Sequence, residues 1–256
     1  MEVEYYRRLA TLAVGRTVDA VEAPDARAIR PLAGAAVAAA LAGRRLTGAR
    51  RHGKLLLVET DGPTVGLRFG MTGALVLGDR RAVDRLRHGS GTYDERWVRF
   101  RLRLDDGDDL ALHDPRRFGR VLLDPDESVL GPDALSLSLA ELAAALAGHG
   151  AGPPLKARLQ DQRHLAGLGN LLSDEVLYGA GLAPGRRAGS LAPDEVRRLH
   201  RQIRATLRQA LRRGGSHTGD LMPERRLGGR CPKDGTELRR ERIGGRTTWW
   251  CPAHQH

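Results

Sequence analysis

The sequence predicts an α+β protein in three successive parts: a β-rich N-terminal half, a helical segment and a small C-terminal module. Three observations predict it. Short alternating or apolar runs separated by turn residues recur between residues 17 and 113. Apolar positions spaced by three and four dominate residues 139–213. The stretch Gly228–His256 is rich in Gly and Arg and holds both cysteines, Cys231 and Cys251.

Residues 2–11 read as an opening helix, with Val3, Tyr6, Leu9 and Ala10 on one face and Arg7 and Arg8 on the other. Gly34–Gly43 is a bland, Ala-rich stretch. Thr17–Val21, Leu46–Gly48, Lys54–Thr60, Thr64–Phe69, Ala74–Leu77, Trp97–Leu104 and Leu110–His113 read as short strands, with turns at Asp61-Gly62-Pro63 and Asp105–Asp108. In the clearest alternation, Trp97, Arg99, Arg101 and Arg103 share one parity and Val98, Phe100 and Leu102 the other. The expectation there is a half-buried strand whose arginines form a solvated face. Many short strands at close spacing suggest a sandwich or barrel. Asp, Pro and Gly cluster at Asp124–Pro132, after which Leu139–Leu146, 155–182 and 193–213 read as helical. In the last, Val196, Leu199, Ile203, Leu207 and Leu211 make an apolar stripe. Pro193-Asp194-Glu195 suits its start and Gly214-Gly215 its end.

Composition narrows the function. The net charge is +11. Residues 1–150 contribute +1 and residues 151–256 contribute +10, so the excess sits in the C-terminal part and points to a polyanionic partner. Only Lys54, Lys156 and Lys233 among 42 basic residues are lysines. No apolar run approaches the ~20 residues of a membrane span. No secretory leader is expected, and two cysteines cannot make a disulfide framework. The reading is a cytoplasmic protein, without a membrane partner, whose basic half binds a polyanion.

Two constellations could carry chemistry. Cys231-Pro-Lys-Asp234 and Cys251-Pro-Ala-His254 form two pairs with two residues inside each, the spacing of a zinc ribbon. Two thiolates, a carboxylate and an imidazole would be the ligands; the alternative is a metal-free hairpin of the same shape. Between them, Gly244-Gly245-Arg246 suits a tight tip that brings a guanidinium close to phosphate. The second constellation is Asp161–Glu175, where a helix ends, Gly167-Leu168-Gly169 turns and Asn170 opens the next helix. Helix N-termini bind phosphate, so Asn170 either caps that helix or reaches a phosphate itself.

The run Ala166-Gly-Leu-Gly-Asn170 followed by Asp174-Glu175 resembles the helix–two-turn–helix signature of the formamidopyrimidine-DNA glycosylase and endonuclease VIII family. Glu2-Val3-Glu4 resembles the end of that family's N-terminal Pro-Glu-Leu-Pro-Glu-Val-Glu. Arg50–Lys54 resembles the segment carrying its functional lysine, and Leu67–Gly73 its His-Leu-Gly-Met-Thr-Gly segment. Asp114-Pro115-Arg116-Arg117-Phe118-Gly119 matches its Asp-Pro-Arg-Arg-Phe-Gly, and the C-terminal module resembles its zinc finger. The resemblance spans essentially the whole chain.

It implies an N-terminal β-sandwich over residues 1–124, a helical domain with the helix–two-turn–helix over 125–222, and a C-terminal zinc-finger-like hairpin over 223–256. It also implies a base excision repair DNA glycosylase and abasic-site lyase, acting as a monomer on damaged double-stranded DNA held between the lobes, and nucleoid-associated when bound. The family's nucleophile is an N-terminal proline amine that attacks the sugar C1′ of a flipped-out, oxidised nucleotide; Schiff-base formation and β,δ-elimination follow. Residue by residue, Lys54 and Arg246 match catalytic positions. Met71, Arg116, Arg117, Phe118 and Asn170 match DNA-binding positions. Met71, Arg116 and Phe118 belong to the group that fills the gap and reads the opposite base, with core packing as the competing reading of Met71 and Phe118. Cys231, Asp234, Cys251 and His254 match the Zn2+ ligands, with Asp234 where a Cys is usual.

The family's first Pro and Glu have no counterpart in Met1-Glu2-Val3-Glu4. One expectation is a true start four residues upstream. The other is a catalytically inactive damaged-DNA-binding protein on the same scaffold. The chain starting at Met1 is expected to be inactive as a lyase. A zinc-ribbon RNA-binding protein would explain charge and finger, but not Asp114–Gly119 or the Gly-Leu-Gly-Asn turn.

Overall fold

The computed structural model describes residues 1–82, 92–147 and 152–256. The chain divides into two compact units, Glu2–Glu127, and Ser128–His256 together with Met1.

In the first unit, α1 (Glu2–Thr11) buries Val3, Tyr6, Leu9 and Ala10 and has Glu2 and Glu4 in its first turn, the charge order a helix dipole favours. Two antiparallel sheets follow. One orders its strands β1 (Val18–Glu22), β7 (Val98–Leu104), β8 (Asp109–His113), β5 (Ala74–Leu77) and β6 (Arg80–Arg81); the other runs β2 (Leu46–His52), β3 (Leu55–Thr60), β4 (Val65–Arg68) and β9 (Arg120–Leu123). One core joins them: Leu75, Leu77, Phe100, Leu102 and Leu112 from the first sheet pack with Leu56, Val58, Val65, Leu67 and Val121 from the second. This is the expected sandwich. Tyr6 pins α1 to it, donating to the Gly73 carbonyl at 3.0 Å with its ring 4.3 Å from Phe69.

Several local expectations change. The bland Ala-rich stretch forms a helix, α3 (Gly34–Leu41), which buries Val37 and Leu41, and a short α2 (Ala26–Ile29) precedes it. β2 extends to His52 rather than ending at Gly48. β9 was not expected, because only Val121 of its four residues is fully buried. The arginines of β7 are the main correction. Arg99 and Arg101 are each 6% exposed, not solvated. Neighbouring strands supply acids that the alternation pattern cannot reveal: Arg101 meets Glu22 from β1 at 3.1 Å, Asp109 from β8 at 3.1 Å, and Glu95. Arg103, half-exposed and 2.7 Å from Glu22, is the one that faces water.

In the second unit, α4 (Leu139–Leu146) starts on a Ser138–Glu141 capping box. α5 (Leu155–Gln160), α6 (Asn170–Ala180) and α7 (Pro193–Arg213) follow. α7 starts at Pro193 and ends before Gly214, whose φ of 97° lets the chain turn away. Its stripe buries Leu199, Ile203 and Leu207 against Leu142, Leu159, Leu172 and Val176. β10 (Arg239–Ile243) and β11 (Arg246–Trp250) then form a hairpin. Its residues share a small separate core of Tyr178, Leu221, Cys231, Leu238, Trp249 and Cys251. Among the described residues no helix is long and apolar enough to cross a membrane.

Candidate functional site

In the first unit the structure brings two loops together. Asp114, fully buried, accepts from the Thr72 hydroxyl at 2.5 Å, from the Gly119 amide at 2.6 Å and from the Arg116 amide at 3.2 Å. One carboxylate therefore ties the loop after β4 to the loop before β9. Gly70 lets them meet: its φ is +61°, and a Cβ there would lie 2.4 Å from the Phe118 Cβ. The result displays large apolar side chains that the sandwich could have buried. Met71 is 51% exposed and Phe118 45%, which removes the core-packing reading. The Arg116 guanidinium lies over the Phe118 ring at 4.8 Å. Arg117 adopts φ +59°, a conformation that costs a non-glycine residue about 1 kcal/mol or more.

Lys54 is exposed and follows Gly53 (φ +59°) in the turn between β2 and β3. Arg51 holds that turn, donating to the Gly53 carbonyl at 2.8 Å while its Nε lies 3.4 Å from the Glu4 carboxylate in the first turn of α1. Burial pushes the Glu4 carboxyl upward, but the guanidiniums of Arg7, Arg51 and Arg8 outweigh it and hold it below the usual range. The Lys54 turn and the start of α1 are thus neighbours.

In the second unit, Gln162 clasps the turn before α6. Its Oε1 accepts from the Gly167 amide at 3.0 Å and its Nε2 donates to the Leu168 carbonyl at 3.1 Å. Gly169 is the N-cap, so Asn170 is the first helical residue and does not cap α6. Its Oδ1 instead receives Gln160 Nε2 at 3.4 Å. The hairpin tip seats on the same helix: a Cβ on Gly244 would lie 2.8 Å from the Ala157 Cβ. Ala157 and Gln160 lie one turn apart on α5, so a single helix face supports both Asn170 and the tip carrying exposed Arg246.

A buried polar hub locks that arrangement. Lys156 is fully buried, with its ammonium 2.6 Å from Asp174, 2.8 Å from the Thr248 hydroxyl and 3.1 Å from the Thr247 carbonyl. Asp174 also meets the Arg225 guanidinium and accepts from the Trp249 amide at 3.2 Å. Burial lowers the Lys156 pKa, against the upward pull of Asp174. The next residue, Glu175, accepts the Leu221 amide on both oxygens, at 3.0 and 3.1 Å, and burial lifts its pKa to about 7. Sequence reasoning gave Lys156, Asp174, Arg225, Gln162 and Thr72 no role. The rarity of lysine was the only available signal for Lys156.

The four expected metal ligands converge, with donor atoms of Cys231, Asp234, Cys251 and His254 all within 4.8 Å of one another. The donor set fits zinc. His254 Nε2 lies 3.2 Å from the Tyr178 carbonyl, a bond that fixes the tautomer and leaves Nδ1 to face Cys231 at 3.4 Å and Asp234 at 3.2 Å. The Cys231 sulfur also receives the Lys233 amide at 3.4 Å, as expected for a thiolate in a knuckle.

Known proteins resemble the chain in sequence and fold. A family model described as formamidopyrimidine-DNA glycosylase N-terminal domain matches residues 1–121, and one described as the H2TH domain of the same enzyme matches residues 130–221. A formamidopyrimidine-DNA glycosylase of Rhizorhabdus wittichii is 36% identical, covering 94% of this chain and 93% of its own length. One from Alkalilimnicola ehrlichii is 31% identical, covering 99% and 98%. Among solved structures, the MutM (Fpg) protein of Thermus thermophilus superposes with a TM-score of 0.78 at 32% identity, covering 99% of this chain and 97% of its own. The Lactococcus lactis protein in complex with Fapy-dG-containing DNA gives 0.82 at 25% identity, covering 100% and 98%. With models matching both units and relatives aligned over nearly its full length, the chain belongs to the formamidopyrimidine-DNA glycosylase family.

Proposed function

We propose that this family member is a base excision repair glycosylase and abasic-site lyase that removes an oxidised base from double-stranded DNA. The observation that carries this reading is the exposed Met71, Arg116 and Phe118 cluster, tied together by buried Asp114. A soluble protein gains nothing from holding two large apolar side chains and a stacked guanidinium in water, whereas a duplex missing one base offers a gap for such a wedge and an orphaned base edge for a forked donor. Curated relatives are named for formamidopyrimidine, so a duplex with one formamidopyrimidine lesion is the first substrate to test.

In this reading the secondary amine of a proline ahead of the N-terminal motif attacks C1′ and loses its proton, the glycosidic bond breaks, and the base leaves with a proton from the Glu beside that proline. The C1′–O4′ bond then opens with a proton to O4′, leaving an iminium that acidifies C2′, and β,δ-elimination expels the 3′ and then the 5′ phosphate. Lys54, beside the start of α1, assists proton transfer and contacts phosphate. Asn170 and Arg246 grip phosphates near the lesion, and Arg246 supports elimination. Arg117 adds a backbone contact. Cys231, Asp234, Cys251 and His254 would hold Zn2+, which would fix the hairpin carrying Arg246 rather than take part in the reaction. Residues 1–124, 125–222 and 223–256 divide this work as reaction, phosphate-binding and finger modules, and the protein acts in the cytoplasm as a monomer on the nucleoid.

Borohydride trapping on abasic duplex tests the chemistry, using the 256-residue chain and one in which Pro-Glu precedes the N-terminal motif. A covalent adduct is expected for the Pro-Glu form. An adduct with neither form, despite tight abasic binding, favours the second reading, a damage-binding protein without lyase chemistry. Equal affinity for abasic duplex and structured RNA would overturn both.

A further inference from the structure

The β7 arginine found buried against expectation leads to a residue outside every motif above. Asp25 sits at the start of α2, 8% exposed. Its Oδ1 caps that helix, accepting the Arg27 amide at 3.0 Å. Its Oδ2 faces two guanidiniums: Arg117 Nε at 3.3 Å and Arg99 Nε at 3.8 Å. Arg99 in turn donates to the Asp114 backbone carbonyl at 2.7 Å and to the Arg96 carbonyl at 3.1 Å. Asp25 therefore supplies negative charge beneath the 114–119 loop at two points: the loop's base, through Arg99, and its strained tip, through Arg117.

We infer that Asp25 is a positioning residue for opposite-base reading: by holding Arg117 at its left-handed turn, it sets where the flanking Arg116 and Phe118 project. Arg117 stands between those two residues, and its φ of +59° is unfavourable for a non-glycine side chain. Such a conformation persists only where surroundings over-determine it. Asp25 supplies that determination from the protein side, while half of the Arg117 side chain stays at the surface. Without the charge, the tip relaxes, and Arg116 loses the fixed direction that a forked donor needs to distinguish one base edge from another. This inference rests on the proposed reading of Arg116 and Phe118.

The test is equilibrium binding of the full chain to duplexes carrying a tetrahydrofuran abasic analogue opposite each of the four bases, followed by fluorescence anisotropy over a range of salt. The parent is expected to prefer abasic over intact duplex and one opposite base over the worst by about fivefold or more. Asp25→Asn is expected to compress that ratio to about twofold or less, with the salt slope reduced by no more than about 1, the share of the single backbone contact from Arg117. Asp25→Ser keeps an oxygen able to cap α2 but removes the charge, and is expected to behave the same way while remaining folded at the assay temperature by circular dichroism. Asp25→Glu is expected to recover part of the ratio. Undiminished discrimination in Asp25→Ser, whether or not affinity falls uniformly on all duplexes, overturns the inference and leaves the proposed function standing. A parent that binds abasic and intact duplex equally overturns the function itself.

Discussion

Replacing Lys156 with methionine probes the buried hub that holds the hairpin. Methionine conserves most of the volume, so packing changes little, but it removes an ammonium bonded to Asp174, Thr248 and the Thr247 carbonyl. Removing one partner of a buried ion pair costs about 3–5 kcal/mol, because the other charge is stranded. Here Arg225 and the Trp249 amide still face Asp174, which places the cost near the lower end, about 3 kcal/mol. At roughly 3 °C per kcal/mol for a domain of this size, the expected fall in Tm is about 10 °C. Differential scanning calorimetry reads it, with far-UV circular dichroism to confirm that the variant is folded at 20 °C. A fall of less than about 3 °C would refute the reasoning, since a stranded buried carboxylate cannot be that cheap.

Gly70→Ala should destabilise the first unit by about 2 kcal/mol or more, from a methyl 2.4 Å from the Phe118 Cβ at a backbone φ of +61°; chemical denaturation reads the loss. Glu175 retains its proton up to about pH 7 when folded but releases it near 4.5 when unfolded. The folded state thus binds more protons between those values, and stability falls as pH rises through the window, by at most about 3 kcal/mol. Glu175→Gln should flatten that slope, so the variant's Tm rises relative to the parent's from pH 5 to pH 8. The purified protein should carry one zinc per chain by elemental analysis, and Cys231→Ser should lose it, together with the protection of β10–β11 amides from hydrogen exchange. Arg246→Ala should weaken binding to all duplexes alike and reduce the salt slope by about 1.

What was legible in the sequence follows from what is local. α7 begins at Pro193 and ends at Arg213 because proline, acids and a glycine mark its ends independently of anything else in the fold. Ala74–Leu77 was readable because its apolar run and flanking glycines are contiguous. Arg99 and Arg101 were misread because burial of a charge depends on acids contributed by other segments of the fold, 79 residues away in the case of Arg101 and Glu22. Lys156 was opaque for the same reason, since its partners arrive from α6 and β11. The residues of the proposed site lie in contiguous motifs and could be named from the sequence; their support by Asp25, Gln162 and Thr72 required the three-dimensional neighbourhood.

The scarcity of lysine has a practical consequence. To an amine-directed reagent this arginine-covered protein is nearly blank, and its three lysines differ sharply in reach. Lys54 is exposed at a turn, Lys233 rests its ammonium on the Tyr178 carbonyl at 3.2 Å, and Lys156 is sealed. Acylation followed by mass spectrometry therefore reads two processes from one unmodified sample. Protection of Lys54 by a duplex would report occupancy at the proposed reacting end, and any labelling of Lys156 reports the fraction of molecules whose helical unit has opened.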